Sequence, residues 1–290
     1  MSDAAPRLLV VGHVTWDLRE GREELGGTVS YAALAARRLG WHPGILTSAG
    51  PEFDPARDLP GVDVFVAPAA ATTRFRNVYG DDGTRRQVLV SRSDAIDLTV
   101  LPESWRAPEA LLLGPVAGEL GPGAALSYQA GVVGVAAQGF LREFDADGAV
   151  SPREWRTPAR DLEGAHVLFL SEHDLPDAER RAQELLSVVP VIALTRGWRG
   201  LRLFTRDGVQ EVASLPRAEK DPTGAGDVFA AAFLLRYHED ANLIEAAAFA
   251  ACAASCAVEG VGVSTLGDRE EVCRRMQARE RLVEDGEWDE

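Results

Sequence analysis

The stretch Asp221-Pro222-Thr223-Gly224-Ala225-Gly226-Asp227-Val228-Phe229-Ala230 sets a glycine-rich turn directly before a carboxylate and an apolar run. Gly224 and Gly226 permit a tight turn and close approach of the backbone to a ligand. The unpaired N–H groups at a helix start carry partial positive charge that suits phosphate oxygens. Pro222 and Thr223 are helix start signals, and Val228, Phe229, Ala232, Phe233 and Leu235 recur at a spacing that buries one helical face. Asp227 then stands beside any bound phosphate, in the position of a base. The arrangement suits phosphoryl transfer, although a bare GxG would equally open an ordinary helix.

Working outward, apolar strand-like runs alternate with amphipathic helical ones, the pattern of a parallel sheet covered on both faces. Strands are expected at Arg7 to Val14, Ala110 to Gly114, Gly131 to Ala136, Ala165 to Ser171 and Val189 to Thr195. Helices are expected near Thr28 to Leu39, Pro176 to Val188, Ala225 to Tyr237 and Leu243 to Val258. The region Val62 to Ser93 reads instead as short strands at Val64 to Val66, Thr72 to Tyr79 and Arg86 to Ser91, the last two joined by Gly80-Asp81-Asp82-Gly83 as a hairpin. The acidic tail from Arg279 to Glu290 is expected to fray.

The 290 residues are 46% hydrophobic and 26% charged, which suits one sizeable domain and excludes wholesale disorder. A net charge of −15 argues against nucleic acid and anionic membranes, both of which need a basic footprint. No apolar run approaches a membrane span, and Met1 to Arg7 lacks the features of a signal peptide. Cys252, Cys256 and Cys273 form no CxxC pair, which points to a reduced, cytoplasmic setting; Cys252 and Cys256, one helical turn apart, read as core filler rather than metal ligands. Lys220 is the only lysine, and it lies between Glu219 and Asp221, so a Walker A loop is excluded, as is the strand lysine of protein kinases.

The run Asp221 to Asp227 resembles the signature of the ribokinase-like (PfkB) family of small-molecule kinases. Gly26-Gly27-Thr28-Val29-Ser30-Tyr31-Ala32-Ala33-Leu34-Ala35-Ala36-Arg37-Arg38-Leu39-Gly40 resembles that family's N-terminal diglycine turn and helix. Gly12 to Asp17 and Thr195-Arg196-Gly197-Trp198-Arg199-Gly200 follow in the family's order, so the likeness spans roughly residues 7 to 265. It implies an α/β, ribokinase-like three-layer sandwich with a mainly parallel central sheet and a small β lid. The kinase domain would cover residues 1–278, with lid segments at about 15–27 and 62–93, followed by an acidic tail at 279–290. In such relatives the lid is often shared across a homodimer.

The resemblance further implies a phosphotransferase with an alcohol group as acceptor and ATP as co-substrate. Asp227 would be the base, and the backbone N–H groups of Gly224, Ala225 and Gly226 an anion hole for developing charge. Thr195, Arg196, Gly197, Gly200 and Thr223, with Gly224 and Gly226, would meet the nucleotide. Mg2+ would be organised, through water, by Glu172 or Asp174. Here the chain departs from the family, since Ser171-Glu172-His173-Asp174 stands where Asn-x-x-Glu is common. Asp221 is the candidate for a monovalent cation, K+, as in many relatives.

Substrate candidates are Asp17, Gly27, Ser30, Tyr31, Gln138 and Arg142, because each hydroxyl of a polyol stripped of water must be paired again. The segment Ala137 to Val150, with its Gln, Arg, Phe-Asp and Asp-Gly elements, resembles that of inositol kinases in the family, which favours myo-inositol or a related carbohydrate. A nucleoside kinase is the alternative within the same chemistry, with Trp16, Tyr31 and Phe140 available to stack on a base. A ligand-binding homologue of weakened turnover is the alternative from another class, suggested by Ser171 and Asp174.

Overall fold

The computed structural model describes residues 5–19, 21–79 and 85–284. In chain order, the first half contains β1 (Leu8–Val11), β2 (Thr15–Arg19), β3 (Arg22–Gly26), α1 (Thr28–Arg38), β4 (Pro43–Ala49), α2 (Pro55–Asp58), β5 (Asp63–Pro68), β6 (Thr73–Tyr79), β7 (Arg85–Ser91), β8 (Ala110–Leu113) and β9 (Val132–Ala136). There follow β10 (Arg142–Phe144), β11 (Val150–Pro152), α3 (Pro158–Asp161), β12 (Val167–Ser171), α4 (Ala178–Leu185), β13 (Val191–Thr195), β14 (Leu201–Thr205), β15 (Gly208–Val212), α5 (Ala225–Asp240), α6 (Leu243–Ala257) and α7 (Arg269–Glu284).

Among the described residues, nine strands form one sheet in the order β15-β14-β13-β12-β9-β8-β1-β4-β5. The pairings from β13 through β5 are parallel, and β14 and β15 add an antiparallel edge. Alternate side chains of β1 enter opposite cores. Leu8 and Val10 join α1, α5 and α6 on one face, while Leu9 and Val11 join Trp105, Tyr128 and α4 on the other. A strand buried on both faces reads as a continuous apolar run, which is why Leu8-Leu9-Val10-Val11 lacks polar alternation. This is the three-layer α/β sandwich of the ribokinase-like fold.

A second sheet of four strands, β3-β2-β6-β7, stands over the carboxyl ends of the central strands. Beneath it, Phe75, Val116 and Ala117 pack with Leu89, Phe144 and Val150. The hairpin of β10 and β11 is tied to this lid by Leu89 N–H donating to the Gly148 carbonyl at 2.7 Å.

Two expectations are corrected. Val64 to Val66 belong to β5, which pairs in parallel with β4 at the edge of the central sheet, so this part of the 62–93 segment is not lid. The chain beyond Arg279 does not fray at once: α7 continues to Glu284, and Arg279 Nε donates to the Ala213 carbonyl at 2.7 Å. The expected turn at Gly80 to Gly83 and the last six residues lie outside the described residues.

Candidate active site

Strands β1, β9, β12 and β13 all end on one side of the sheet, the side where open α/β folds place their ligands. A cavity of about 900 Å³ opens there, bounded by the lid, the start of α1, the start of α5 and the loops after β9, β12 and β13. The glycine turn before α5 forms one wall. Gly224 has φ 80°, and a Cβ there would lie 2.2 Å from the Tyr31 ring, so the position requires glycine for both conformation and space. Gly27 has the same double requirement at the start of α1, with φ 85° and the His13 carbonyl 2.4 Å from an added Cβ.

Asp227 lies in the first turn of α5 and lines the cavity. Burial pushes its carboxyl up to about 6; Asp174 and Asp17 add like charge, while a hydrogen bond from Thr28 and the charge of Arg142 pull the other way. Those causes define a cluster at the inner end of the cavity. Asp174 is likewise raised by burial, although its Oδ2 accepts from Ser171 N–H at 2.7 Å and Arg142 opposes the shift. The Tyr31 hydroxyl is raised by burial and then by Asp17, Asp227 and Asp221. A carboxyl raised to about 6 in the first turn of the helix can take a proton from a hydroxyl beside the amides of Gly224 and Gly226, whereas the Ala225 N–H, expected in the same anion hole, already donates to the Pro222 carbonyl at 3.2 Å.

Of the residues expected around a substrate, Asp17, Gly27, Tyr31, Gln138 and Arg142 line the cavity. Ser30 does not: it is fully buried, and its hydroxyl donates back to the Gly26 carbonyl at the end of β3 at 2.7 Å. Thr195, Arg196, Gly197, Gly200, Thr223, Gly224, Ala225 and Gly226 line the outer part. Several of these side chains already have partners. The Thr195 hydroxyl donates to the Leu170 carbonyl at 3.1 Å, Arg196 reaches Glu211 at 3.4 Å, and Arg199 pairs with Glu172.

Glu172 and Asp174 both face the cavity, whereas Asp221 stands behind the glycine turn, outside the lining. Its Oδ1 accepts from Thr223 N–H at 3.0 Å and its Oδ2 from Arg19 at 2.6 Å. Burial would raise its carboxyl, yet Thr223 and Arg19 together hold it below the usual range. No group of three or more His, Cys, Asp or Glu side chains that could cage a metal occurs among the described residues. Cys252 and Cys256 are buried in α6, their thiols pushed by burial up to about 12 and about 11, as core thiols are. No described helix is long and apolar enough to cross a membrane.

Sequence reading missed Thr28, which touches Asp227, and the lid residues Phe75 and Gln87 on the cavity wall. It also missed Arg19. Period-two alternation along β2 would have found that one, since Arg19 falls on the same strand face as Asp17.

A three-layer α/β sandwich with this lid, and a helix start that carries a carboxylate of raised pKa into the cavity, are those of a ribokinase-like kinase that acts on a hydroxyl-bearing substrate. The sequence pattern of the pfkB family carbohydrate kinases matches residues 152–269. An inositol 3-kinase of Oryza sativa subsp. japonica is 30% identical over 309 residues, covering 95% of this chain and 73% of that protein. The chain belongs to the pfkB family of carbohydrate kinases. A nucleoside kinase of Methanocaldococcus jannaschii is 29% identical over 109 residues, 36% of either chain. Among solved structures, a pyrophosphate-dependent kinase in the ribokinase family, complexed with sulfate, superposes with a TM-score of 0.76 at 24% identity, covering 91% of this chain and 99% of that one.

Proposed function

We propose that the protein transfers the terminal phosphoryl group of ATP to a hydroxyl of a small cyclic polyol or sugar, with myo-inositol the favoured acceptor. The observation that carries this reading is the convergence of Asp17 and Arg142 on Asp227 in one cavity whose lining also holds Gln138. A polyol needs several directional donors and acceptors, and two carboxylates with an amide and a guanidinium supply both kinds. Asp227 takes the proton of the attacking hydroxyl. The amides of Gly224 and Gly226 receive the charge that develops on the transferred group, a role set by position more than by covalent chemistry.

Two observations separate this from its alternatives. Phe140 stacks on Trp155 with ring centroids 5.5 Å apart in the core, and neither Phe140 nor Trp16 lines the cavity, which removes two of three candidates for stacking on a nucleoside base. Beyond the glycine turn the cavity is also lined by Leu215, Ala251, Ala254 and Val258, beside the polar Ser214, Arg217, Glu219 and Ser255; the apolar contacts suit a nucleobase, and pyrophosphate would not need them.

Magnesium fits the residues present in the way that ion is usually held, by one or two carboxylates together with the donor's phosphates and water rather than by a protein cage. Asp174 and Glu172 are the carboxylates that would hold it, and it would neutralise charge on the phosphates. The test is product formation: 31P NMR of the protein with ATP, magnesium and myo-inositol should show a polyol monophosphate and ADP. A signal that appears only with nucleosides, or with pyrophosphate in place of ATP, would replace the acceptor or the donor.

A further inference from the structure

A side chain of the lid, Arg19, reaches the glycine turn. Thr15, Asp17 and Arg19 alternate onto a single face of β2; Thr15 and Asp17 line the cavity, and Arg19, about 7 Å further along the strand, passes over the rim. Its Nη1 donates to Asp221 Oδ2 at 2.6 Å and its Nη2 to Thr223 Oγ1 at 2.5 Å. Glu24 on β3 lies 3.9 Å from its Nε.

Asp221 is also fixed from its other sides. Its second oxygen caps Thr223 N–H, which shapes the turn immediately before Gly224. The backbone N–H groups of Lys220 and Asp221 donate to the Val258 carbonyl, at 2.8 and 3.3 Å, just past the end of α6. Arg19 and Asp221 are mostly buried, at 17% and 9% side-chain exposure, so solvent screens this pair far less than the surface pairs elsewhere. A planar guanidinium that spans a carboxylate and a hydroxyl fixes direction as well as charge, which an ammonium cannot do.

We propose that Arg19 is a positioning residue that latches the lid strand to the anion-binding turn. One side chain then sets the acceptor carboxylate Asp17 and the amides of Gly224 and Gly226 in a fixed relation. The proposal rests on the kinase reading above. Arg19 itself touches no reacting atom. Its effect is on geometry, and misplacement of about 1 Å between reacting groups costs up to about 100-fold in rate.

The test uses the full-length protein and the variants Arg19→Ala, Arg19→Lys, Asp221→Asn and the double variant Arg19→Ala/Asp221→Asn. With saturating ATP and myo-inositol, Arg19→Ala should lower kcat by about 30-fold with acceptor KM within about threefold, because geometry rather than acceptor affinity is lost. Arg19→Lys should recover only part of the rate, and the double variant should be no worse than the poorer single one, since both break the same link. Millimolar guanidinium should restore part of the rate to Arg19→Ala and none to the double variant. Independently of turnover, amide hydrogen exchange at 223–227 should speed up about tenfold in Arg19→Ala while the central sheet stays protected.

A kcat within threefold of the wild type with unchanged exchange at 223–227 would overturn the latch, as would additive losses in the double variant. If the wild type phosphorylates no polyol or sugar, the kinase reading fails. The exchange comparison alone then decides whether Arg19 holds the turn.

Discussion

At the inner end of the cavity the charges of Asp17, Asp174 and Arg142 bear on the Asp227 carboxyl and those of Asp17, Asp227 and Asp221 on the Tyr31 hydroxyl, whereas at the outer end Arg196 pairs with Glu211 of β15 and Arg199 with Glu172, ion pairs that each keep one exposed partner. Trp198, at that outer rim, is 64% exposed. The difference lies in dielectric and entropy. Buried groups are few, mutually dependent and costly to alter, while exposed pairs are worth little individually and tolerate change. On the proposed reading, chemistry and acceptor choice concentrate at the inner end.

The largest effect should come from Asp227→Asn, with kcat reduced by about 10³-fold or more and ligand binding retained. Near-normal turnover in a variant that binds both ligands would remove Asp227 as base. Asp17→Asn should follow, with kcat/KM for the acceptor down about 30-fold through one lost charge-assisted hydrogen bond and little change in ATP affinity. Equal losses for both substrates would assign Asp17 to the framework instead. At the outer end, Arg196→Gln should change ATP affinity by at most about fivefold. A loss beyond about 100-fold would erase the contrast between the two ends.

Ionisation sharpens the comparison further. The rate should rise with pH through about 6, as Asp227 loses its proton, and that limb should be absent in the residual activity of Asp227→Asn. Stability should move the opposite way. A carboxyl raised from 3.8 to about 6 by folding contributes stability that is complete below 3.8 and lost as pH rises through about 6. At pH 8 Asp227→Asn should therefore be more stable than the wild type by about 1–3 kcal/mol, a gain that vanishes near pH 4. Thermal melts at the two pH values check this, and a variant less stable at pH 8 would deny the buried charge.

Much of the inner end was legible in the chain because local signals coincide there. The glycines, Asp227 and the apolar face of α5 occupy one continuous stretch, and β1, β12 and β13 read as strands because burial on both faces leaves unbroken apolar runs. Contacts between distant segments were not legible. Ser30 looked available until its hydroxyl turned inward to Gly26, and Asp221 looked open to a cation until Arg19 was placed against it. Helix α7 escaped because it is dominated by arginine and glutamate. It is anchored by Val272 in the core and by Arg275, which reaches Ser255 and Glu259 of a different segment. Strand β5 was grouped with the lid because Val64-Phe65-Val66 is short and apolar like its neighbours, and only its pairing with β4 distinguishes it.

The most direct test of the account is ADP release from ATP and magnesium across myo-inositol, its stereoisomers, monosaccharides and nucleosides, run in parallel on the wild type and Asp227→Asn. The account predicts stimulation of the wild type by a cyclic polyol or sugar and its loss in the variant. Stimulation by nucleosides alone, or stimulation that survives in Asp227→Asn, would contradict it.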